Sequence, residues 1–191
     1  MNALSVQRPE PTRFLTLPNF LSIIRACLAI PFSVVMLSSL PSARTWGAIL
    51  IAVAALTDKL DGDLARKFGT VTEWGRILDP LADKLGAAVV VVVLLLRGEI
   101  PLWYAGVVIG RDCVILAGGI FLRIKSGVVL PSNLSGKWAF AITGFTLFLI
   151  VLGLDQEIIR WLLWLTVVLM ALSLFLYFRR FAEVVRTEGA A

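Results

Sequence analysis

Long stretches of this chain contain no Asp, Glu, Lys or Arg. They cover residues 26–43, 45–57, 85–96, 100–110, 113–122, 138–154 and 161–178. A membrane-spanning helix needs about 20 mostly apolar residues. The longest stretches approach this length by themselves. The others reach it when neighbouring stretches are joined across a charged residue. Hydrophobic residues make up 59% of the 191 residues, whereas soluble domains are roughly 45–50% apolar. The sequence therefore predicts an all-α integral membrane protein and argues against a water-soluble or disordered chain.

Six transmembrane helices are predicted from these stretches, because backbone polar groups in lipid must be hydrogen-bonded internally. The helices are expected near residues 20–40, 44–65, 76–97, 101–124, 134–154 and 157–179. Residues 14–24 are predicted either as a short N-terminal interfacial segment or as the start of the first helix. We treat 1–191 as a single membrane domain with an N-terminal cytoplasmic tail at 1–13 and a C-terminal tail at 182–191. The first tail lacks the features of a cleavable signal peptide.

The basic residues lie mostly on one side of this predicted topology. The N-terminus, the second and fourth loops between helices and the C-terminus hold 11 of the 18 Lys and Arg, whereas the opposite side holds Arg44, Arg97 and Arg160. Cytoplasmic loops of membrane proteins carry the excess of Lys and Arg, so both termini are predicted to face the cytoplasm from the cell inner (plasma) membrane. The net charge of +5 has the same explanation, and no nucleic-acid partner is expected.

The absence of histidine narrows the possible chemistry. The chain has no His, and its two cysteines, Cys27 and Cys113, lie in apolar stretches. A His base, a His nucleophile and a His metal ligand are therefore excluded. No disulfide framework or C-x-x-C site is available either.

Acidic residues are concentrated in one part of the chain. Six of the 13 fall between residues 58 and 83: Asp58, Asp61, Asp63, Glu73, Asp79 and Asp83. An ionised side chain at the centre of a bilayer costs about 2.5–3.5 kcal/mol or more, so these acids must face water, pair with cations or bind metal. Asp58 and Asp61 are three apart near the end of the second helix, and the last two Asp are four apart near the start of the third. Each pair shares a helix face, and because the helices are consecutive and antiparallel, the pairs can converge on the cytoplasmic side.

Converging carboxylates without histidine are typical of sites for hard cations. Mg²⁺, Mn²⁺ and Ca²⁺ prefer oxygen ligands, and two metal ions about 3.5–4 Å apart recur in phosphoryl chemistry. The sequence therefore predicts a site for two divalent ions, Mg²⁺ or Mn²⁺. Gly62 and Gly75 lie near these acids and could let a bulky ligand approach the backbone or let helices pack closely. Arg66 could bind a diphosphate or could be a charge of the cytoplasmic loop.

A sequence motif spans these acids. Residues 58–83 are D-K-L-D-G-D-L-A-R, then eight residues, then G-R-I-L-D-P-L-A-D. They fit D-x2-D-G-x2-A-R-x8-G-x3-D-x3-D at all eight fixed positions, and on these residues the chain resembles the class I CDP-alcohol phosphotransferase family of integral membrane enzymes. The resemblance implies an enzyme that moves a substituted phosphate from a CDP-linked alcohol to the hydroxyl of a second alcohol and releases CMP. It also implies a homodimer.

The resemblance assigns roles to the motif residues. The two divalent ions would be held by Asp58, Asp61, Asp79 and Asp83. Asp83 would also deprotonate the acceptor hydroxyl. The cytidine diphosphate site would be lined by Gly62, Arg66, Thr72 and Gly75. Asp63 occupies a variable position of the motif and is left out of the metal site.

The donor is inferred from the segment LPNFLSIIR at residues 17–25. This segment is similar to the N-terminal segment of bacterial family members that use CDP-diacylglycerol. By that resemblance, Asn19, Ser22 and Arg25 approach the nucleotide or the lipid. The alternative is a capped helix start in which Arg25 extends to the membrane interface or to an acid of the core.

The acceptor is inferred from basic residues, which suit a phosphorylated alcohol. Glycerol 3-phosphate is the simplest candidate, and Arg111 in the fourth helix and Lys137 at the start of the fifth are assigned to bind it. The chain would then be similar to phosphatidylglycerophosphate synthases, although these often carry Arg-Glu where this chain has Arg111-Asp112. The alternatives for the two basic residues are a structural pair with Asp112 and a cytoplasmic loop charge. Cardiolipin synthesis from phosphatidylglycerol and phosphatidylinositol phosphate synthesis also remain open.

Two classes of protein other than enzymes compete with this interpretation. Intramembrane acids often mark ion pathways, so a divalent-cation transporter is possible, but the opposite half of the membrane lacks a matching set of acids. A non-catalytic scaffold could keep the motif residues for packing. The enzyme is preferred, with CDP-diacylglycerol, a polar alcohol acceptor and membrane lipid as its expected partners.

Overall fold

The computed structural model describes residues 17–68, 75–126 and 134–188, and these ranges contain six helices. The helices are α1 (Leu17–Leu37), α2 (Ala43–Phe68), α3 (Gly75–Leu96), α4 (Leu102–Ser126), α5 (Leu134–Leu152) and α6 (Gln156–Glu188). The prediction of six helices is confirmed for the described residues. Every helix end except the last lies within about three residues of its predicted position, the usual spread of such boundaries. Cys27 and Cys113 are both free.

Two helices end at glycines in the left-handed region. Gly98 follows α3 with a φ of 70°, and Gly153 follows α5 with a φ of 79°. After each glycine, a backbone N–H bonds back to a carbonyl of the last helical turns, at 2.9 Å for Glu99 and 3.3 Å for Leu154. Glycine adopts this conformation without a Cβ penalty, so the sequence ends both helices sharply.

The helix α1 begins at Leu17 and continues without interruption to Leu37. Residues 17–24 are thus its first turns, as the second of the two interpretations of this segment predicted. Residues 14–16 lie outside the described part of the chain, and an interfacial location of the segment remains a prediction. Arg25 consequently lies about two turns inside α1.

Residues 182–188 of the segment predicted as a C-terminal tail continue the last helix. α6 extends to Glu188 instead of ending near residue 179. The ring centroid of Phe181 lies 6.2 Å from that of Phe121 in α4 and 6.3 Å from that of Tyr177, so packing supports this turn. The Ala, Glu and Arg residues of the segment are also good helix formers, which is why the helix outlasts the apolar stretch. The predicted end of the last helix near residue 179 is therefore corrected to Glu188, and the tail assigned to 182–191 remains a prediction.

The chain divides after Val89 into two compact units. In the first unit, Met1–Val89, α1 packs against α2, and Phe32 and Met36 are buried. In the second unit, Val90–Ala191, α6 packs against both α4 and α5. A single membrane domain over 1–191 remains a prediction.

The helices α4 and α6 run parallel within the second unit. Three hydrogen bonds join them: Tyr104 to Thr166 at 3.0 Å, Arg111 to Ser173 at 2.9 Å and Tyr177 to the Ile115 carbonyl at 3.3 Å. The partners differ by 62 positions in all three bonds, so residue numbers rise together along the two helices. The bonding positions recur at helical spacing on each helix, as expected of one packed face.

Three helices of the described part are long and apolar enough to cross a membrane. These spans are Leu102–Leu122, Ser135–Leu152 and Gln156–Val185, and Ile23–Leu37 is a shorter apolar helix. Large apolar side chains such as Leu102, Val168 and Phe175 are exposed on them, which a lipid environment accommodates. The structure thus supports a membrane protein, while a six-span topology remains a prediction.

Candidate active site

One arginine of α1 binds one acid from each half of the motif. The Nη1 atom of Arg25 lies 2.6 Å from Oδ1 of Asp58 in α2, and it donates a hydrogen bond to Oδ1 of Asp83 in α3. The arginine side chain is only 7% exposed, whereas Asp58 is 55% and Asp83 is 28% exposed. The arginine is therefore enclosed by protein, while the two carboxylates that it binds remain accessible.

The lengths of α2 and α3 explain why these two acids meet. Asp58 lies ten residues before the end of α2 at Phe68, and Asp83 lies eight residues after the start of α3 at Gly75. At 1.5 Å per residue, both are about 12–15 Å along their helices from the connecting segment. The predicted convergence is thus observed for this pair, and their shared partner is Arg25. The roles of the two acids in binding and catalysis remain predictions.

The other predicted site residues are placed only by their backbone or lie outside the described part. The helix α2 carries Asp61, Gly62 and Arg66, and α3 carries Gly75 and Asp79. The helix α1 carries Asn19 and Ser22. The side chains of these residues are not among those described, and Thr72 lies outside the described residues altogether. The helical spacing within each pair of acids is confirmed.

The two described carboxylates form a donor set that suits a divalent cation. Their Oδ1 atoms come from different helices and are directed at one positively charged nitrogen. Mg²⁺ and Mn²⁺ prefer such oxygen ligands. Among the side chains that the structure describes, no cluster of three or more His, Cys, Asp or Glu occurs. Asp58 and Asp83 could contribute to a metal centre, and the full set of four carboxylates remains a prediction.

Arg25 had several possible roles in the sequence. The sequence predicted either a contact with the donor or a capped helix start in which Arg25 extends to the membrane interface or to an acid of the core. The structure contains a pairing with acids, with two acids instead of one. A donor contact by Arg25 remains a prediction.

A second buried arginine lies in α4. Arg111 is 9% exposed, and its Nη1 lies 2.5 Å from Oδ1 of Asp112. Its Nη2 donates a hydrogen bond to Ser173 in α6 at 2.9 Å, and its Nε has no hydrogen-bond partner among the described residues. The predicted pairing of Arg111 with Asp112 is confirmed. A buried donor without a partner is costly, and this nitrogen is enclosed by protein.

Lys137, the second residue assigned to the acceptor, differs from the buried Arg111 in its exposure. Lys137 lies in the first turn of α5, and its side chain is exposed.

Sequence reasoning also missed Ser173, whose one indication was a hydroxyl in the apolar stretch 161–178. The parallel register of α4 and α6 brings Ser173 to Arg111, and that register is not evident from the sequence.

Comparison with known proteins relates the motif to a family. The family model for CDP-alcohol phosphatidyltransferase matches residues 15–172. The CDP-diacylglycerol–glycerol-3-phosphate 3-phosphatidyltransferase of Bacillus subtilis (strain 168) is 32% identical over 193 residues, covering 91% of this chain and 98% of the relative. The protein of the same name from Rickettsia bellii is 32% identical over 171 residues, covering 85% and 93%. The cardiolipin synthase (CMP-forming) of Streptomyces coelicolor is 34% identical over 136 residues, covering 69% and 63%.

The family match confirms the resemblance inferred from residues 58–83. It includes all eight fixed positions of the motif, and the similar proteins carry the names of phosphatidyltransferases and cardiolipin synthases. The meeting of Asp58 and Asp83 shows that the two halves of this motif come together in space. The chain is thus a transferase of phospholipid synthesis and belongs to the CDP-alcohol phosphatidyltransferase family.

Proposed function

We propose that this enzyme transfers a phosphatidyl group from CDP-diacylglycerol to glycerol 3-phosphate, giving phosphatidylglycerophosphate and CMP. The observation that carries the proposal is the meeting of Asp58 and Asp83 on the single Nη1 atom of Arg25. Carboxylates gathered from consecutive helices can hold the cations that a diphosphate substrate needs. The reaction would occur at the cytoplasmic face of the plasma membrane, in a six-span protein that forms a homodimer.

The choice of glycerol 3-phosphate is supported by the coverage of the relatives. The two relatives whose names include glycerol-3-phosphate align over 98% and 93% of their own length. The cardiolipin synthase from Streptomyces coelicolor aligns over 63% of its length. Cardiolipin synthesis with phosphatidylglycerol as the acceptor is the second candidate, because the identity there is slightly higher, at 34%.

The donor is assigned to the motif. Two ions, Mg²⁺ or Mn²⁺, would be held by Asp58, Asp61, Asp79 and Asp83. When bound, such ions would supply positive charge to the diphosphate and to the leaving CMP. The cytidine diphosphate would lie against Gly62, Arg66, Thr72 and Gly75. The nucleotide or the lipid would be approached by Asn19, Ser22 and Arg25.

Asp83 is assigned as the base. Its carboxylate would take the proton of the acceptor hydroxyl while that oxygen forms a bond to the phosphorus that carries diacylglycerol. The bond between this phosphorus and the oxygen of CMP breaks, and CMP leaves with the electron pair. Because Asp83 is 28% exposed, its carboxylate is accessible to a substrate.

Arg111 is assigned to the phosphate of the acceptor. Asp112 and Ser173 bind its Nη1 and Nη2 atoms and hold the guanidinium plane in place. A phosphate oxygen is a strong acceptor for a guanidinium held in this way. Lys137, exposed on α5, would add a second positive charge for the same phosphate.

The test is CMP release by the detergent-purified protein with CDP-diacylglycerol and Mn²⁺. The acceptors are supplied one at a time: glycerol 3-phosphate, phosphatidylglycerol, inositol 1-phosphate, inositol and serine. We expect CMP release that depends on glycerol 3-phosphate. Release that depends on phosphatidylglycerol would establish cardiolipin synthesis instead, and release that depends on inositol 1-phosphate would establish phosphatidylinositol phosphate synthesis.

A second arm addresses the transporter. Sealed proteoliposomes that contain the protein are loaded with a Mn²⁺-sensitive dye, and Mn²⁺ is added outside. Family membership favours the enzyme, so we expect no Mn²⁺ entry beyond that of empty liposomes. Mn²⁺ entry without CMP release for any acceptor would overturn the proposed reaction.

A further inference from the structure

The guanidinium of Arg25 occupies the point at which two carboxylates of the assigned metal site meet. Both contacts use the same nitrogen, Nη1, and both carboxylates use their Oδ1 atom. A divalent ion that binds Asp58 and Asp83 through their Oδ1 atoms needs the space that Nη1 occupies. The arginine and the metal ion therefore compete for one position.

We propose that Arg25 is a resident counter-cation that a divalent metal ion displaces. In the metal-free protein it holds Asp58 and Asp83 together, and on metal binding its side chain moves away from their Oδ1 atoms. The inference deepens the function proposed above and rests on the metal site assigned there. It gives Arg25 the part of a positioning residue that prepares the two carboxylates for the ion.

The dimensions of the site are compatible with such an exchange. The distance from Nη1 to Oδ1 of Asp58 is 2.6 Å, and Mg²⁺ holds its oxygen ligands at about 2.0–2.1 Å. The carboxylates would need to close in by only about half an ångström around the smaller ion. The backbones of α2 and α3, which carry the two carboxylates, would therefore not need to rearrange.

Electrostatics favours movement of the arginine away from the shared oxygens. An arginine stays protonated in proteins, so Arg25 cannot give way to a metal ion by losing its charge. A divalent ion at the same oxygens would lie within a few ångströms of the guanidinium, where like charges repel strongly. Movement of the long side chain is the available response.

The burial pattern indicates how the exchange can proceed. Arg25 is 7% exposed, whereas Asp58 and Asp83 are 55% and 28% exposed. A metal ion can therefore approach the carboxylates from their accessible side. Two acids without a cation are costly inside a membrane, and the arginine removes that cost before the metal arrives.

The experiment compares the full-length wild type with Arg25→Gln, Arg25→Lys and Arg160→Gln in detergent. Arg160 is 64% exposed and pairs with Glu157 at 3.1 Å, so it is a control for loss of a paired arginine. Mn²⁺ alone is titrated, and free Mn²⁺ is followed by electron paramagnetic resonance. Thermal unfolding is recorded in EDTA and in saturating Mn²⁺.

We expect Arg25→Gln to bind Mn²⁺ at least about tenfold more tightly than the wild type, equivalent to about 1.4 kcal/mol. Its melting temperature should fall in EDTA and recover in Mn²⁺. Arg25→Lys keeps the positive charge and should bind Mn²⁺ within a few-fold of the wild type. Arg160→Gln should match the wild type in both measurements.

Different outcomes overturn different parts of the argument. Equal or weaker Mn²⁺ binding by Arg25→Gln, with Mn²⁺ binding by the wild type, would overturn the exchange and leave the metal site in place. Absence of Mn²⁺ binding by all four proteins would overturn the metal site and the exchange with it. If Arg25→Gln unfolds in EDTA, it is purified in Mn²⁺, and failure of the metal to restore folding would also overturn the exchange.

Discussion

Two buried arginines, Arg25 and Arg111, differ in the partners that their guanidinium groups bind. Arg25 binds two carboxylates from two other helices with a single nitrogen. Arg111 binds one carboxylate, that of its chain neighbour Asp112, and the neutral hydroxyl of Ser173. Among the described contacts, two acids face one arginine in the first group, whereas in the second one acid balances the charge of one arginine.

This difference explains why a cation is assigned to the carboxylates around Arg25 and an anion to the group around Arg111. Around Arg25, the excess of carboxylate favours binding of further positive charge, as a divalent ion would supply. Around Arg111, only one described carboxylate competes for the guanidinium, which favours binding of a negatively charged acceptor. The charge and hydrogen bonding of the surroundings, and not the arginine itself, decide between a cation and an anion.

Asp83→Asn should have the largest effect at the Arg25 group. The amide cannot take a proton from the acceptor hydroxyl, and loss of a general base typically costs about 10²–10⁴-fold in rate. We expect CMP release to fall by about a thousandfold or more, with the protein still purified as a folded species.

The control for this substitution is Glu157→Gln, which removes an acid that is 66% exposed on α6. It should retain the wild-type rate of CMP release. Near-normal turnover by Asp83→Asn would show that another group acts as the base. A role in catalysis would then no longer distinguish the group around Arg25 from the group around Arg111.

Arg111→Lys should have a smaller effect, limited to the acceptor. Lysine keeps the charge but lacks the planar fork that binds Asp112, Ser173 and a phosphate together. We expect the KM for glycerol 3-phosphate to rise about tenfold, equivalent to about 1.4 kcal/mol, and the KM for CDP-diacylglycerol to stay unchanged. Initial rates with each substrate varied in turn measure both constants.

The matched control is Arg160→Lys, at an exposed arginine that also pairs with an acid. Both KM values should equal those of the wild type. A parallel rise in the two KM values of Arg111→Lys would contradict a specific acceptor role and indicate a general disturbance of the second unit.

The sequence predicted those features that depend on local spacing. Helices follow from apolar stretches, so five of the six helices were predicted nearly to their observed ends. The meeting of Asp58 and Asp83 was predicted because the motif places acids at helical spacing on consecutive antiparallel helices. The pairing of Arg111 with Asp112 was predicted because the two residues are adjacent.

The sequence did not specify contacts that depend on how distant helices pack. Arg25 is 58 positions from Asp83, so an acidic partner could be expected but not identified. Ser173 and Thr166 were missed because nothing in the apolar stretches of α4 and α6 reveals that the two helices are parallel. The extension of α6 to Glu188 was missed because the apolar stretch ends at residue 178, whereas residues of high helix propensity continue beyond it.

Ser173→Ala tests the neutral partner of Arg111. A hydrogen bond to a charged group contributes about 1.5–3 kcal/mol, and the buried Nη2 would lose it. We expect the free energy of unfolding in detergent to fall by about 1.5 kcal/mol. Ser33→Ala is the control, because the Ser33 hydroxyl bonds only the carbonyl of Ala29 in its own helix among the contacts described, at 2.7 Å, and the loss should be within about 0.5 kcal/mol. Equal losses in the two variants would mean that Ser173 does not stabilise the charge of Arg111.

Gly118→Ala should have the smallest effect, and it tests the α4–α6 packing that carries the Arg111 group. A Cβ at Gly118 would lie 2.6 Å from the Tyr177 hydroxyl, which bonds the Ile115 carbonyl at 3.3 Å. The tyrosine must shift, so we expect a loss of about 1 kcal/mol, the low end of overpacking costs. At the adjacent Gly119 an added Cβ meets nothing within 4 Å, and alanine there should stabilise the helix by up to about 1 kcal/mol. Thermal unfolding of the two variants side by side measures the difference, and a Gly118→Ala protein as stable as Gly119→Ala would show that Tyr177 does not fix the two helices against each other.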